Sequence, residues 1–89
     1  MREEEITTLE TAYVCHFQPE PEGGYTVTCP SLPAVVTYGE TLEEARVNAR
    51  EAIELVLEVL RDEKKPIPQA DHDLKTPIDE LVPVRLARV

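Results

Sequence analysis

The chain is 89 residues long, so it can form one small domain with a modest hydrophobic core. Eighteen acidic residues against nine basic ones give a net charge of −9, which disfavours direct binding to nucleic acid and suits either a basic partner or simple solubility. No apolar run is long enough to cross a bilayer, and neither the N-terminus nor the two cysteines indicate secretion, so we expect a cytoplasmic protein.

The first part of the chain predicts an antiparallel hairpin. Residues Thr11 to Phe17 are rich in β-branched and aromatic side chains, which is typical of a strand. The loop QPEPEGG, residues 18–24, leads to a second strand, Tyr25 to Cys29, in which apolar and polar residues alternate. A turn in the middle of this loop would bring Cys15 close to Cys29, and we expect two buried thiols rather than a functional redox pair. The residues expected to share the inner face are Tyr13, Cys15, Phe17, Tyr25, Val27 and Cys29.

The segment PSLPAVVTYG leads from the second strand to a third. Pro30 and Pro33 end the second strand because neither can donate to a ladder, and Leu32 between them can reach the edge of the core. Residues 35–38, VVTY, predict a short third strand, and Gly39 permits the turn after it.

Thr41 and Glu44 have the spacing of a capping box, in which each side chain accepts from the backbone N–H of the other residue. We therefore expect a helix from Leu42 to about Glu63. The stripe expected to face the sheet consists of Leu42, Ala45, Ala49, Ala52, Ile53, Val56 and Leu60. Leu55 and Val59 widen this apolar arc and could either contact a second subunit or pack over the edge of the sheet.

The remaining chain predicts a polar connector and a last strand. Pro66 and Pro68 prevent the helix from continuing. In the tail ELVPVRLARV, apolar residues alternate with others, and Pro83 restricts the strand to the edge of a sheet. The predicted fold is therefore α+β in the order β-β-β-α-β, with one helix packed on a mainly antiparallel sheet.

No pattern typical of a catalytic, cofactor or metal site occurs in the sequence. A Gly-rich phosphate loop, Cys-x-x-Cys and His-Glu-x-x-His are all absent. Asp71, His72 and Asp73 form the most ligand-like cluster, but consecutive residues rarely converge on one ion. Cys15 and His16 are neighbours on a strand, so they point to opposite faces and cannot act as a nucleophile pair. We expect no enzymatic activity and no cofactor.

Residues 23–68 carry an ordered series of motifs: a Gly-Gly-Tyr strand, a Pro-x-Leu-Pro turn, a Thr-x-Gly-x-Thr step, Glu-Glu-Ala, Asn-Ala-x-Glu-Ala and Pro-Ile-Pro. This series resembles the HicB antitoxin family over about half of the chain, which is more specific than any single motif. The matching positions are Gly24, Tyr25, Pro30, Leu32, Pro33, Thr37, Gly39, Thr41, Glu44, Ala45, Asn48, Ala49, Glu51, Ala52 and Pro66 to Pro68.

The resemblance implies a partial RNase H-like fold without nuclease activity. It also implies a partner, HicA, a small basic mRNA-cleaving toxin of double-stranded-RNA-binding-domain fold, whose active site the antitoxin covers. Two departures stand out: Ala34 occupies the place of the family's turn glycine, and the chain stops at Val89, where many members continue into a DNA-binding domain. We expect a single HicB-like domain, residues 1–89, without a DNA-binding domain.

The expected partner surface is the acidic side of the helix, although a plain solvated face is the alternative. A homo-oligomer, dimer or tetramer, is expected because the core is small and an edge strand invites pairing. Two other functions stay open: an orphan oligomeric domain that binds another protein or a small ligand, and a degenerate RNase H-like nuclease. The predicted partner-binding residues are Glu43, Glu44, Glu51, Glu54 and Glu58.

Overall fold

The computed structural model describes residues 7–88. These residues form β1 (Thr7–Pro19), β2 (Tyr25–Thr28), β3 (Val36–Gly39), α1 (Leu42–Asp62) and β4 (Asp79–Arg88). The strands make an antiparallel sheet in the order β3-β2-β1-β4, and α1 packs on one face. The predicted α+β class, element order and marginal position of the last strand are confirmed, whereas the relation to RNase H-like folds stays a prediction.

Several element boundaries differ from the prediction, and β2 ends at Thr28 instead of Cys29. β1 extends beyond residues 11–17 at both ends, because β4 pairs with it from Thr7 to His16 and β2 pairs with it as far as Pro19. β3 lies one residue later than predicted. The helix ends at Asp62, with Glu63 as its C-cap.

Two glycines close the β1–β2 hairpin. Gly23 and Gly24 have φ values of 107° and 82°, in the left-handed region that strains other residues. The Glu20 N–H donates to the Gly24 carbonyl at 3.0 Å. The Tyr38 hydroxyl donates to the Gly23 carbonyl at 3.0 Å and occupies the space that a Cβ on Gly24 would need. The Gly-Gly pair is therefore required both by the turn and by the side chain that covers it.

Two consecutive turns account for the prolines of the segment Pro30–Pro33. The Leu32 N–H donates to the Cys29 carbonyl at 3.0 Å, and the Val35 N–H donates to the Leu32 carbonyl at 2.9 Å. Each proline is thus the second residue of a turn, where its fixed φ is favoured. Leu32 is buried, as predicted, and Ala34 does not adopt a positive φ, so the turn accepts alanine in place of glycine.

The chain bends directly after Gly39, but the glycine is required for packing and not for a left-handed backbone. It is the last residue of β3 and does not have a positive φ. A Cβ at this position would lie 2.3 Å from the backbone nitrogen of Ala45, so α1 and β3 approach too closely for any side chain. Ala45, at this contact, and Ala49, one turn later in α1, are both fully buried.

The helix packs on the sheet through residues spaced four apart, Ala45, Ala49, Ile53 and Leu57. Leu57 was missing from the predicted stripe. Around them, Leu42, Ala52, Val56 and Leu60 are partly buried against the core. The strands contribute Tyr13, Cys15, Phe17, Val27, Val82, Val84 and Leu86 to this core.

The connector between α1 and β4 crosses β1. Beyond the end of β2, the Asp71 N–H donates to the Ala12 carbonyl at 3.1 Å. On the other side of β1, Asp79 pairs with His16. The passage from one side to the other accounts for the burial of Ala12 and Val14, whose side chains alternate with those that face α1.

Of the two capping-box hydrogen bonds predicted at the start of α1, one is present and the other has a different donor. The Thr41 hydroxyl accepts from the Glu44 N–H at 3.1 Å, as expected. The Glu44 carboxylate accepts from the Glu40 N–H at 2.6 Å, one residue before the predicted donor. The N-terminus of the helix still gains two side-chain acceptors.

The C-terminus of α1 generates a stability prediction. Lys64 has φ 58°, and hydrogen bonds from Glu63 to Val59 and from Lys65 to Leu60 close the last turn around it. Because a Cβ in the left-handed region is strained, Lys64→Gly should raise the free energy of unfolding by about 1 kcal/mol in urea denaturation.

Lys64→Ala is the matched control for this prediction. It removes the same charge but keeps the Cβ, so it should give no gain. Equal urea midpoints for the glycine and alanine variants would contradict the role of the backbone conformation.

Candidate partner-binding surface

The predicted glutamates do not have equivalent environments. Glu43, Glu51 and Glu58 are exposed, and among residues 7–88 none of them forms an ion pair. Glu44 is exposed but caps the helix. Glu54 is half-buried and contacts β4. Three of the five carboxylates are therefore available to a partner without loss of an internal contact.

Glu54 covers part of the outer edge of the sheet. Its Oε2 accepts from the Arg85 N–H of β4 at 3.0 Å, so this N–H points away from β1. Two residues earlier, Pro83 presents its nitrogen to the same edge and has no hydrogen to donate. This stretch of β4 is consequently less open to pairing with another chain than the sequence indicates.

The same helix also covers the opposite edge. Asn48 Nδ2 donates to the Tyr38 carbonyl of β3 at 2.7 Å.

The helix makes a further contact with β4. Arg46 forms a bidentate pair with Glu80 of β4 through distances of 2.7 and 2.9 Å, and this contact lowers the pKa of the Glu80 carboxyl. The helix contacts β3 and β4 more than the two inner strands.

We define the outer stripe of α1 as Val47, Glu51, Leu55 and Glu58. These residues succeed one another at spacings of four, four and three, so they lie along one side of the helix over about 16 Å. Val47 is 43% exposed and Leu55 63%. The stripe alternates apolar and acidic side chains, and Val59, 46% exposed, lies beside it.

In the part of the chain that the structure describes, α1 does not have the length and apolar character that a membrane-spanning helix needs.

A groove of about 830 Å³ lies between α1 and the outer part of β4. Carboxylates and guanidinium groups alternate around it, so it offers no surface of one charge to a small ligand. The lining residues are Glu10, Thr11, Arg50, Glu51, Glu54, Pro83, Val84 and Arg85.

His16 and Asp79 form a polar pair on the face of the sheet away from α1. His16 Nδ1 lies 2.9 Å from Asp79 Oδ1, and Asp79 Oδ2 accepts from the backbone N–H groups of Lys75 and Thr76 at 2.9 and 3.0 Å. The pair fastens β1, β4 and the connector together. His16 is half-buried, and Cys15 lies on the opposite face, as predicted.

The cluster Asp71–Asp73 has a local structural role. The Asp73 N–H donates to Asp71 Oδ1 at 3.2 Å, which is a turn contact of the aspartate with its own backbone. Among residues 7–88, no three His, Cys, Asp or Glu side chains are grouped to hold a metal ion.

A family model described as "HicB_like antitoxin of bacterial toxin-antitoxin system" matches residues 13–82, which include β2, β3 and α1 entirely and most of β1. The chain belongs to the HicB-like antitoxin family. The family resemblance in the sequence is thereby confirmed, and the match extends beyond residues 23–68 on both sides.

Similar proteins agree with this assignment. A UPF0150 protein of Synechocystis is 41% identical over 70 residues, covering 79% of this chain and 87% of that protein. Antitoxin HicB of Escherichia coli K12 is 31% identical over 72 residues, which covers 74% of this chain and 52% of that protein. A chain of a toxin–antitoxin complex from Streptococcus pneumoniae superposes with a TM-score of 0.63 over 90% of this HicB-like chain and 69% of its own length; at 14% identity this likeness concerns the fold.

The contact of Glu54 with β4 generates a second prediction. Glu54→Ala should lower the free energy of unfolding by about 1 kcal/mol, because the Arg85 N–H loses a charged acceptor. Glu51→Ala is the matched control, since Glu51 is exposed on the same helix, and it should change stability by less than about 0.5 kcal/mol. Urea denaturation measures both, and equal losses would mean that the edge contact contributes nothing.

Asp79 generates a prediction about pH. The hydrogen bond from His16, followed by that from the Lys75 N–H, lowers the pKa of Asp79 from 3.8 to about 2. Because the folded-state pKa is the lower one, the ionised carboxylate stabilises the fold above pH about 4, and this contribution is lost as the pH falls toward 2.

The stability difference between wild type and Asp79→Asn should therefore be greatest near neutral pH and shrink below pH about 4, in urea denaturation at a series of pH values. Asp73→Asn, an exposed position in the same connector, is the control. A difference that stays constant with pH would show that the Asp79 carboxylate does not act through its charge.

Proposed function

We propose that this HicB-like protein binds and neutralises a small basic RNA-cleaving toxin of the HicA type, and that it is not itself an enzyme. The observation that carries the proposal is the family match over residues 13–82. Two similar proteins, an antitoxin and a chain of a toxin–antitoxin complex, support a role in binding a toxin.

The charge of the chain supports a basic partner. A net charge of −9 on 89 residues attracts a positively charged protein and raises the rate of encounter, while it repels the RNA that such a toxin binds. The antitoxin and the RNA are both negatively charged. An antitoxin with this charge can therefore approach the toxin surface that the RNA would use.

The outer stripe of α1 is the surface we propose for the contact. Glu51 and Glu58 can pair with basic groups without giving up an internal contact, and Leu55 between them supplies apolar area. Glu43, exposed near the start of the helix, extends the acidic surface. Glu54 contributes through β4 instead, so we assign it to the integrity of the sheet edge.

The test uses the purified protein and the candidate toxin, a small basic protein encoded beside its gene. Wild type should inhibit RNA cleavage by the toxin and should not cleave RNA by itself. Glu51→Lys combined with Glu58→Lys should weaken binding at least tenfold, equivalent to about 1.4 kcal/mol, and should flatten the salt dependence of the affinity.

The matched control changes the same amount of charge elsewhere, through Glu22→Lys combined with Asp73→Lys, both at exposed positions away from α1. Sedimentation of each variant checks that its oligomeric state is that of wild type. Equal weakening by both double variants would mean that net charge alone matters, and no weakening by either would exclude the outer stripe as the contact. Absence of binding by wild type would overturn the proposed function.

A further inference from the structure

Cys15 and Cys29 are direct cross-strand neighbours. The β1–β2 ladder ends at the pair His16 and Thr28, and continuing its register by one position places Cys15 opposite Cys29. The Phe17 N–H donates to the Ile78 carbonyl, just before β4, so the backbone polar groups of Phe17 point toward β4. The backbone polar groups of its neighbour His16 therefore point toward β2. The pair His16–Thr28 is therefore hydrogen-bonded, and the cysteine pair beside it is of the non-hydrogen-bonded kind.

This kind of pair has the geometry that a disulfide needs. In non-hydrogen-bonded pairs the Cα atoms are about 4.5 Å apart, and disulfides span Cα distances of about 4.4–6.8 Å. The thiols of Cys15 and Cys29 are free, both are buried in the core on the inner face of the sheet, and they are close enough for each to shift the pKa of the other. A bond between the sulfurs requires little movement of the strands.

The surroundings of the two sulfurs differ. The Cys29 sulfur lies beside the Cys15 thiol and near the backbone N–H groups of Leu32 and Ser31 in the turn after β2. The Cys15 thiol, together with these N–H groups, lowers the pKa of the Cys29 thiol, whereas the contact with Cys29 and burial raise the pKa of the Cys15 thiol. Of the two cysteines, Cys29 is therefore the more readily deprotonated, which favours it as the nucleophile.

We propose that Cys15 and Cys29 form a reversible thiol–disulfide site that responds to hydrogen peroxide, contrary to the expectation from the sequence that the pair has no redox function, and independently of the proposed toxin binding. The Cys29 thiolate attacks one peroxide oxygen, the O–O bond breaks, and the products are Cys29 sulfenic acid and hydroxide. The Cys15 sulfur then attacks the Cys29 sulfur, the S–O bond breaks, and water leaves with the Cys15 proton. The thiols lose two electrons to the peroxide, and an added dithiol returns them.

The disulfide would fix β1 to the end of β2 at the point where their ladder stops. It would also immobilise the turn of Pro30–Pro33, which begins at the Cys29 carbonyl. Because the two cysteines are 0% and 2% exposed, the reaction depends on small openings that admit peroxide. A small neutral oxidant suits such a site better than a bulky disulfide does.

The experiment treats the reduced, folded protein with hydrogen peroxide. Intact mass should fall by two hydrogen atoms, thiols counted after denaturation should disappear, and the product should remain free of covalent dimers. Addition of dithiothreitol should restore both thiols. The oxidised protein should have a higher urea midpoint and a slower rate of protease digestion than the reduced protein.

Two single variants test the assignment of the nucleophile. Cys15→Ala and Cys29→Ala should both gain oxygen instead of losing hydrogen, and Cys29→Ala should react more slowly because it lacks the thiolate. If either variant does not fold, the wild-type measurements alone test the proposal. Oxygen adducts or covalent dimers as the main wild-type products would overturn the proposal, and so would two intact thiols under conditions that oxidise the chain in urea.

Discussion

Helix α1 contacts both edge strands of the sheet, and the rest of the fold depends on this arrangement. A four-stranded sheet presents unpaired backbone groups along β3 and β4, which invite other strands. Asn48 contacts β3 and Glu54 contacts β4, from opposite flanks of the buried stripe of the helix. Both contacts can form only if the helix lies close to the sheet, and the absence of a side chain at Gly39 permits that approach.

The position of α1 divides its surface into parts with different physical tasks. The buried stripe fills the core, the flanks serve the two edges, and the outer stripe is left to solvent or a partner. Because Thr41, Arg46 and the core contacts fix the helix against the sheet, the side chains of the outer stripe project from a rigid support. A rigid support reduces the ordering cost of binding, so a modest patch of apolar and acidic groups can contribute usefully to affinity.

The sequence predicted the parts of this protein that local rules determine. The hairpin, the N-cap at Thr41 and the edge position of the strand with Pro83 were all predicted, because each depends on a few neighbouring residues. The packing role of Gly39 and the contact of Glu54 with β4 were not predicted, since each joins elements that are distant in the sequence. A glutamate on the polar side of a helical wheel is interpreted as solvent-exposed, because the wheel does not show where an edge strand lies.

Leu57 was missed for a different reason. It lies beside Ile53 on the helical wheel, but only the exact direction of the sheet shows that this position is at the centre of the contact. The acidic surface was predicted as five equivalent glutamates. Four of them are exposed, but Glu44 also caps the helix, so three are exposed without an internal contact. Helical periodicity gives the side of a helix on which a residue lies, but it does not reveal which carboxylates have backbone donors within reach.

The interior and the outer stripe can respond to different signals. Cys15 and Cys29 lie on the inner face of the sheet, which α1 covers, whereas Glu51, Leu55 and Glu58 lie on the side of the helix that points away from it. A bond between the sulfurs neither adds nor removes a group on the outer stripe. It would act on the opening of the hairpin, and therefore on the lifetime of the folded chain, while the proposed partner surface keeps its composition and charge.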